Sequence, residues 1–189
     1  MGKELTPKYY NQHMKKYRRK EFLWERLYNR VVDFLPKPEN TKLIIDLGCG
    51  VGGLAEVIYK NGYRRYIGID FSDTSINISK ERVPEYEFYK EDIRDKKIVK
   101  YFEDDIVFIS TEVLEHIKDD LIVVERIPHR SLFIFSVPNK DHSSHVRFFR
   151  NHEEVEKRYK NLLSFTIIDD IEKIKKPGQI MFLSKTERR

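Results

Sequence analysis

The chain has 189 residues, of which 35% are charged and 40% hydrophobic, which is typical of one globular domain with a sizeable core. No apolar run approaches the roughly 18–20 residues that a membrane helix needs, and no apolar stretch of a signal peptide follows the N-terminal charges. The single cysteine, Cys49, excludes an internal disulfide, so we expect a reducing, cytoplasmic location and no membrane partner.

The first thirty residues carry the basic charge of the chain. They contain nine Lys and Arg against three Glu, a net charge of +6, whereas the remaining residues contain 27 basic and 28 acidic side chains. Residues 1–20 show no regular period, but they place rings among the cations, and Tyr9, Tyr10, His13 and Arg18 are the candidate contacts. Three interpretations are open: a solvated tail, a lid over a ligand, or a contact for an anionic acceptor such as nucleic acid.

Residues 23–35 predict an amphipathic helix. Apolar residues at positions 23, 27, 31, 34 and 35 share one face, and Pro36 and Pro38 end the pattern. We interpret Trp24 as a packing residue of this helix. The chain is therefore divided into a basic arm with a helix that caps the protein, residues 1–38, and a main domain, residues 39–189.

Residues 42–62 predict a strand, a glycine loop and a helix. The apolar run up to Leu47 reads as a buried strand, and Gly48, Gly50 and Gly53 match the G-x-G-x-x-G pattern that binds dinucleotides at a helix N-terminus. Asp46 lies two residues before the first glycine. Its carboxylate would repel a pyrophosphate, but it can accept a hydrogen bond from an ammonium group.

Four further strands follow, over residues 64–70, 86–89, 104–110 and 131–137, and helices separate them. Acidic residues end the first four strands at intervals of 20–24 residues: Asp46, Asp70, Asp92 and Glu112. Because the carboxyl ends of parallel strands meet at one edge of a sheet, these side chains are expected to converge. One helix face is predicted from Leu114 to Val124.

The last forty residues predict a different arrangement. Asn151 begins a helix, with Glu154 placed as in a capping box. Strands over residues 163–170 and 178–184 are joined by so short a connection that they must be antiparallel. The sequence thus predicts an α/β, Rossmann-like fold: a seven-stranded, mostly parallel sheet with an antiparallel last strand and helices on both faces.

Five segments resemble the motifs of class I S-adenosylmethionine (SAM) methyltransferases, in particular the small members that act on small molecules. The resemblance extends from about residue 42 to residue 185, and the segments are Asp46–Gly52, Gly68–Ser72, Glu91–Ile93, Glu112–His116 and Val137–Phe149. It implies that SAM is the cofactor and S-adenosylhomocysteine the product.

The resemblance also implies residue roles. Asp70 would hold the ribose hydroxyls, and Asp92 with the backbone of Ile93 would hold the adenine edge. Asp46 and the loop residues would face the methionine portion, and Thr111 and Glu112 would line the sulfonium. The cofactor-binding prediction is completed by Gly48, Cys49, Gly50, Gly52 and Phe71.

The acceptor side is less defined. His116 and His145 are the candidate general bases, and Arg147 lies beside His145 in a loop that either covers the site or is simply anchored to the domain. No metal site is predicted, because Asp141-His142 has no second ligand pair at a recognisable spacing. The segment after strand four lacks the Asn/Asp-Pro-Pro-Tyr and Pro-Cys patterns of nucleic-acid base methyltransferases.

We therefore expect methyl transfer to an unidentified acceptor, with a small molecule favoured over RNA or protein. Two other classes are open. An NAD-dependent oxidoreductase would share the glycine loop and Asp70, and a non-catalytic SAM-binding module would share the whole cofactor site.

Overall fold

The computed structural model describes residues 2–18, 21–102 and 105–189. Its strands are Leu43–Leu47 (β1), Tyr66–Asp70 (β2), Glu87–Lys90 (β3), Ile106–Thr111 (β4), Leu132–Pro138 (β5), Leu163–Glu172 (β6) and Ile180–Arg188 (β7). Its α-helices are Pro7–Arg18 (α1), Glu25–Phe34 (α2), Gly53–Lys60 (α3), Asp73–Arg82 (α4), Asp120–Glu125 (α5) and His152–Tyr159 (α6). Short 3₁₀ turns cover Glu21–Trp24, Pro38–Asn40, Lys96–Tyr101 and Leu114–His116.

The strands form one sheet in the order β3-β2-β1-β4-β5-β7-β6. The first five strands are parallel, and β7 lies antiparallel between β5 and β6. From β1 the strand order runs to one edge of the sheet through β2 and β3, and then continues on the other side of β1 with β4. Ligands of open α/β folds bind at this switch point between β1 and β4. The predicted fold class, including the antiparallel last strand, is confirmed.

Strand β1 packs on both faces, which explains why four of its five residues are apolar. All five residues of β1 are buried. Ile45 and Leu47 belong to the hydrophobic cluster on one face of the sheet, and Ile44 belongs to the cluster on the other. The second cluster also contains the apolar face of α2, through Leu27, Val31 and Phe34. The predicted amphipathic helix therefore packs against the sheet.

The helix predicted from Leu114 to Val124 is wrong, because the structure has a 3₁₀ turn and then α5, separated by extended residues. The guanidinium of Arg147 provides the physical reason. It donates hydrogen bonds to the carbonyls of Leu114, Ile117 and Lys118, which a continuous helix would need for its own N–H groups.

The N-terminal arm is more regular than its sequence suggests, since residues 7–18 are the helix α1. Asn11 joins this helix to the start of α4, because its side-chain oxygen accepts a hydrogen bond of 2.7 Å from the Ser72 hydroxyl. Ser72 is also the N-cap of α4, and its side chain accepts a hydrogen bond from the Ser75 amide. None of the helices that the structure describes is long and apolar enough to cross a membrane.

Candidate functional site

A cavity of about 540 Å³ opens at the carboxyl ends of the central strands. The four strand-end acids, Asp46, Asp70, Asp92 and Glu112, all line it, as the spacing predicts. Other predicted residues that line it are Tyr10, Gly48, Cys49, Gly50, Phe71, Ile93, Thr111, His116 and His145. Parallel strands and short βα connections bring these distant positions to one edge.

Within the glycine loop, Gly50 and Gly52 differ in what surrounds them. Both have a positive φ, +54° and +76°, which favours glycine. A Cβ added to Gly50 would meet no atom of the described part of the chain within 4 Å, whereas one added to Gly52 would lie 3.2 Å from Ser79. Gly50 therefore borders open cavity space, while Gly52, which precedes α3 and does not line the cavity, packs against α4.

Asp70 connects the end of β2 to the glycine loop. One carboxylate oxygen accepts a hydrogen bond of 3.1 Å from the Gly50 amide, and the other accepts one of 2.8 Å from the Ser72 amide. Burial raises the pKa of Asp70 to about 6, against the effect of these two donors. Each oxygen retains a lone pair, so the carboxylate can also accept bonds from a ligand.

Asp46 has one carboxylate oxygen without a partner among the described residues. Its Oδ2 accepts a hydrogen bond of 2.6 Å from the hydroxyl of Tyr66, but its buried Oδ1 accepts none. Burial is the main reason that the pKa of Asp46 rises to about 7, and the charge of Asp70 adds to it. A cationic donor in the cavity could satisfy Oδ1 and stabilise the charged carboxylate.

Asp92 is ion-paired in the structure. The Arg94 guanidinium contacts its carboxylate, with the closest approach at 2.6 Å, and also pairs with Glu4 from the arm. Glu4 in turn accepts a hydrogen bond of 3.0 Å from the Lys118 amide. The arm is therefore connected to the β3 end of the cavity and to the segment before α5.

The far end of the cavity holds the buried acid Glu115, the half-buried acid Glu112 and two histidines. Glu112 has a left-handed backbone with φ of 56°, and its amide and carboxylate both bond to the Ser136 hydroxyl. Burial raises the pKa of Glu112 and of Glu115. Burial also lowers the pKa of His116 to about 4 and lowers that of His145, so both imidazoles are neutral near pH 7.

The arm covers the cavity from above the strand ends. The amide of Gly2 donates to the His145 carbonyl at 2.8 Å, and the ring of Tyr10 lies with its centroid 5.2 Å from that of Phe71. Tyr9 and His13 stack on each other at 4.1 Å and do not line the cavity. The predicted contact Arg18 belongs to α1, but its side chain lies outside the described part of the chain.

Arg147 does not line the cavity, so the structure shows no contact between its side chain and the predicted acceptor site. Besides its bonds to three carbonyls, the guanidinium is 3.3 Å from the buried carboxylate of Asp120. These contacts anchor the loop to α5 and agree with the anchoring alternative.

Several lining residues were missed by sequence reasoning, among them Met14, Trp24, Tyr28, Glu115 and Lys173. Trp24 lines the cavity, and the ammonium of Lys173 lies 4.1 Å from its ring centroid. Lys173 directly follows β6, and no spacing in the sequence connects it to Trp24. The motif Glu112–His116 was the only sequence signal near Glu115.

Sheet order, glycine loop and strand-end acids together define the class I SAM-dependent methyltransferase fold. A family model described as "Methyltransferase domain" matches residues 14–174, and the chain belongs to this family. No match was found among curated proteins. Because the chain belongs to the methyltransferase family, the alternative of an NAD-dependent oxidoreductase is dropped.

Solved structures with low sequence identity share the fold. A TehB-like SAM-dependent methyltransferase from Corynebacterium glutamicum is similar with a TM-score of 0.70 at 15% identity, covering 94% of this chain and 99% of that one. Magnesium protoporphyrin IX methyltransferase from Synechocystis PCC 6803 with bound SAM has a TM-score of 0.66 at 17% identity, covering 86% and 78%. Geranyl diphosphate methyltransferase in complex with GPP and sinefungin has a TM-score of 0.66 at 12% identity, covering 86% of this chain and 78% of that one.

SAM is the cofactor of this family, and the residues of the cavity fit it. The unpartnered Oδ1 of Asp46 suits the methionine ammonium group, and the space at Gly50 admits a ligand against the backbone. The carboxylate of Asp70 suits vicinal ribose hydroxyls.

The raised pKa values of Asp46 and Asp70 predict a pH dependence of SAM binding. Both acids accept bonds best when ionised, and with pKa values of about 7 and about 6 they become protonated as the pH falls. We expect SAM affinity to fall about ten- to twentyfold from about pH 8 to about pH 6. Calorimetry at the two pH values measures it, and the Asp46→Asn variant should show a weaker dependence. Equal or higher affinity at the lower pH would contradict the assignment.

Proposed function

We propose that the chain transfers the methyl group of SAM to a small molecule that binds in the same cavity. The observation that supports this is the extent of the cavity, which continues past the cofactor residues to His116, His145 and Lys173. Its volume of about 540 Å³ is within the usual range of small-ligand sites. Two similar structures are named for small acceptors, magnesium protoporphyrin IX and geranyl diphosphate.

The protein would accelerate methyl transfer mainly by holding SAM and the acceptor in the reactive geometry. SAM, when bound, supplies an electrophilic methyl group together with its own leaving group. The tasks of the protein are to align the acceptor and to exclude water. Asp70 and Asp46 would hold the two ends of the cofactor, and Thr111 with Glu112 would line its centre. His116 is a poor general base near neutral pH because burial lowers its pKa to about 4.

The arm would serve as a lid in this function. Its contacts over the cavity are the Tyr10 ring against Phe71, the Asn11 bond to Ser72 and the Glu4 pair with Arg94. The alternative is that its cations bind an RNA or protein acceptor, which the net charge of +6 over residues 1–30 favours.

Deletion of residues 2–19 separates these two roles of the arm. We expect SAM affinity to fall about tenfold or more, because losing only about 1.4 kcal/mol of binding free energy from the arm contacts would raise the Kd tenfold. Calorimetry measures SAM binding, and filter binding measures RNA at two salt concentrations. The matched control replaces only the exposed Lys3 and Lys8 with alanine and should keep SAM affinity.

Two outcomes of the deletion would count against the lid. If only RNA binding is lost, and the wild-type affinity falls steeply with salt, the arm is a nucleic-acid contact. If neither affinity changes, residues 2–19 are a solvated tail.

Methyl transfer itself tests the proposed function. The protein is incubated with SAM labelled in its methyl group and with cell extract that is afterwards separated into small molecules, RNA and protein. Label in the small-molecule fraction is the expected result. Label in RNA or protein instead would contradict a small-molecule acceptor and support a macromolecular one. SAM binding without methyl transfer into any fraction would favour a non-catalytic SAM-binding module.

A further inference from the structure

Three side chains of metal-binding type lie together at the acceptor end of the cavity. One ligand atom from each of Glu115, His116 and His145 lies within 4.8 Å of the other two. Oε1 of Glu115 is 3.6 Å from Nε2 of His116, and the two imidazole rings meet edge to face with centroids 4.8 Å apart. All three residues line the cavity, so an ion could enter from it.

Glu115 has no partner for its carboxylate among the residues that the structure describes. The residue is 0% exposed, and neither carboxylate oxygen has a hydrogen-bond donor. Glu112 repels its charge, while Lys173 and Arg147 attract it without bonding to it. Buried carboxylates are normally paired or bound to a metal. A cation next to His116 would supply the missing partner.

Both imidazoles are held in the tautomer that leaves Nε2 available to bind a metal. Nδ1 of His116 is 2.8 Å from the Ser144 carbonyl oxygen, and Nδ1 of His145 is 3.0 Å from that of Lys140. A carbonyl oxygen only accepts, so each Nδ1 carries the proton and donates it. Each Nε2 is left with a lone pair, and bonds of this kind commonly orient metal-binding histidines.

We propose that Glu115, His116 and His145 bind one divalent transition-metal ion of the manganese-to-zinc series. Imidazole nitrogen suits these metals, whereas calcium and magnesium prefer oxygen ligands. Two histidines and one carboxylate leave coordination positions open for an outside ligand. An acceptor with a hydroxyl or carboxylate oxygen could occupy such a position, and this consequence rests on the proposed function.

Metal titration of the protein without SAM or acceptor tests the site. The full chain is stripped with a chelator and titrated with Co²⁺ by visible absorption, and with Mn²⁺ and Zn²⁺ by calorimetry. We expect one ion per wild-type chain and a metal-induced rise in Tm. Glu115→Gln keeps the side-chain shape and removes its charge. It and His145→Gln should each bind metal roughly tenfold or more weakly and lose the rise in Tm.

The matched control is His152→Gln. This imidazole also pairs with a carboxylate, at 2.6 Å from Asp170, but it lies at the surface outside the cavity. Its loss should leave metal binding unchanged. The metal site is overturned if the wild-type chain binds none of the three ions. It is also overturned if the two ligand variants, shown to be folded by circular dichroism, bind as the wild type does.

The result can be separated from that of the proposed function. SAM affinity and methyl transfer are measured on the same preparations. Normal SAM binding and transfer without metal binding would refute the metal site alone. Metal binding without SAM binding would refute the proposed function and leave the metal site standing.

Discussion

Replacing Asp70 with alanine is expected to weaken the binding of SAM and of S-adenosylhomocysteine by roughly 10²- to 10⁴-fold. Two charge-assisted hydrogen bonds to vicinal ribose hydroxyls are worth about 1.5–3 kcal/mol each, and both would be lost. The structure adds a second reason, because the same carboxylate accepts the amides of Gly50 and Ser72. Its removal would therefore also release the glycine loop from the end of β2.

Calorimetry on Asp70→Ala and Asp70→Asn distinguishes these two effects. The asparagine keeps an acceptor for one amide and loses the charge, so it should bind better than the alanine variant but still far more weakly than the wild type. The control is Asp73→Asn, three residues on, whose exposed carboxylate pairs with Lys90 at 2.7 Å. Unchanged affinity in Asp70→Ala would refute the assignment of the ribose site.

The fold could be predicted because its signals are local. A strand buried on both faces is mostly apolar, as β1 is. Ser72 and Asn151 are residue types that favour helix N-caps, and their side chains accept hydrogen bonds from the amides of Ser75 and Glu154. The rule that parallel strands share one edge then places the strand-end acids together without any knowledge of side-chain contacts. For this reason the cofactor half of the cavity could be predicted as well.

Contacts between segments that are distant in the sequence explain why the helix after Leu114 was predicted wrongly and why the side-chain cluster at the end of β4 was not predicted. The helix predicted after Leu114 is interrupted by Arg147, whose guanidinium binds carbonyls about thirty residues earlier. The cluster of Glu115, His116 and His145 has the same origin, because a loop after β5 returns to the end of β4. The Val146 amide fixes that return by donating to the Glu115 carbonyl at 2.8 Å. No local pattern in the sequence encodes such a contact.

The cavity also contains residues whose sequence neighbourhood indicates only packing. Trp24 follows the aromatic and apolar pattern of the capping helix, yet it borders the cavity beside Lys173. Whether such a residue packs in the core or lines a ligand site depends on its position relative to the carboxyl ends of the strands. The edge that these ends form is defined only once all strands are assembled.

Replacing Gly50 with valine is expected to abolish SAM binding while the fold is retained. Among the described residues, no atom lies within 4 Å of a Cβ added at Gly50, so a branched side chain would fill the cavity rather than displace the core. The left-handed φ of +54° would also cost about 1–2 kcal/mol in stability, since valine is strained there. SAM binding by calorimetry and the fold by circular dichroism are the two measurements.

Gly178→Val is the matched control for this substitution. Gly178 also has a positive φ, +74°, and open space around an added Cβ, but it lies in the β6–β7 connection and does not line the cavity. Both variants should lose similar stability, and only Gly50→Val should lose SAM binding. If Gly50→Val binds SAM as tightly as the wild type, the glycine loop is not the cofactor cradle. If both variants lose binding equally, backbone strain and not occupied ligand space is the cause.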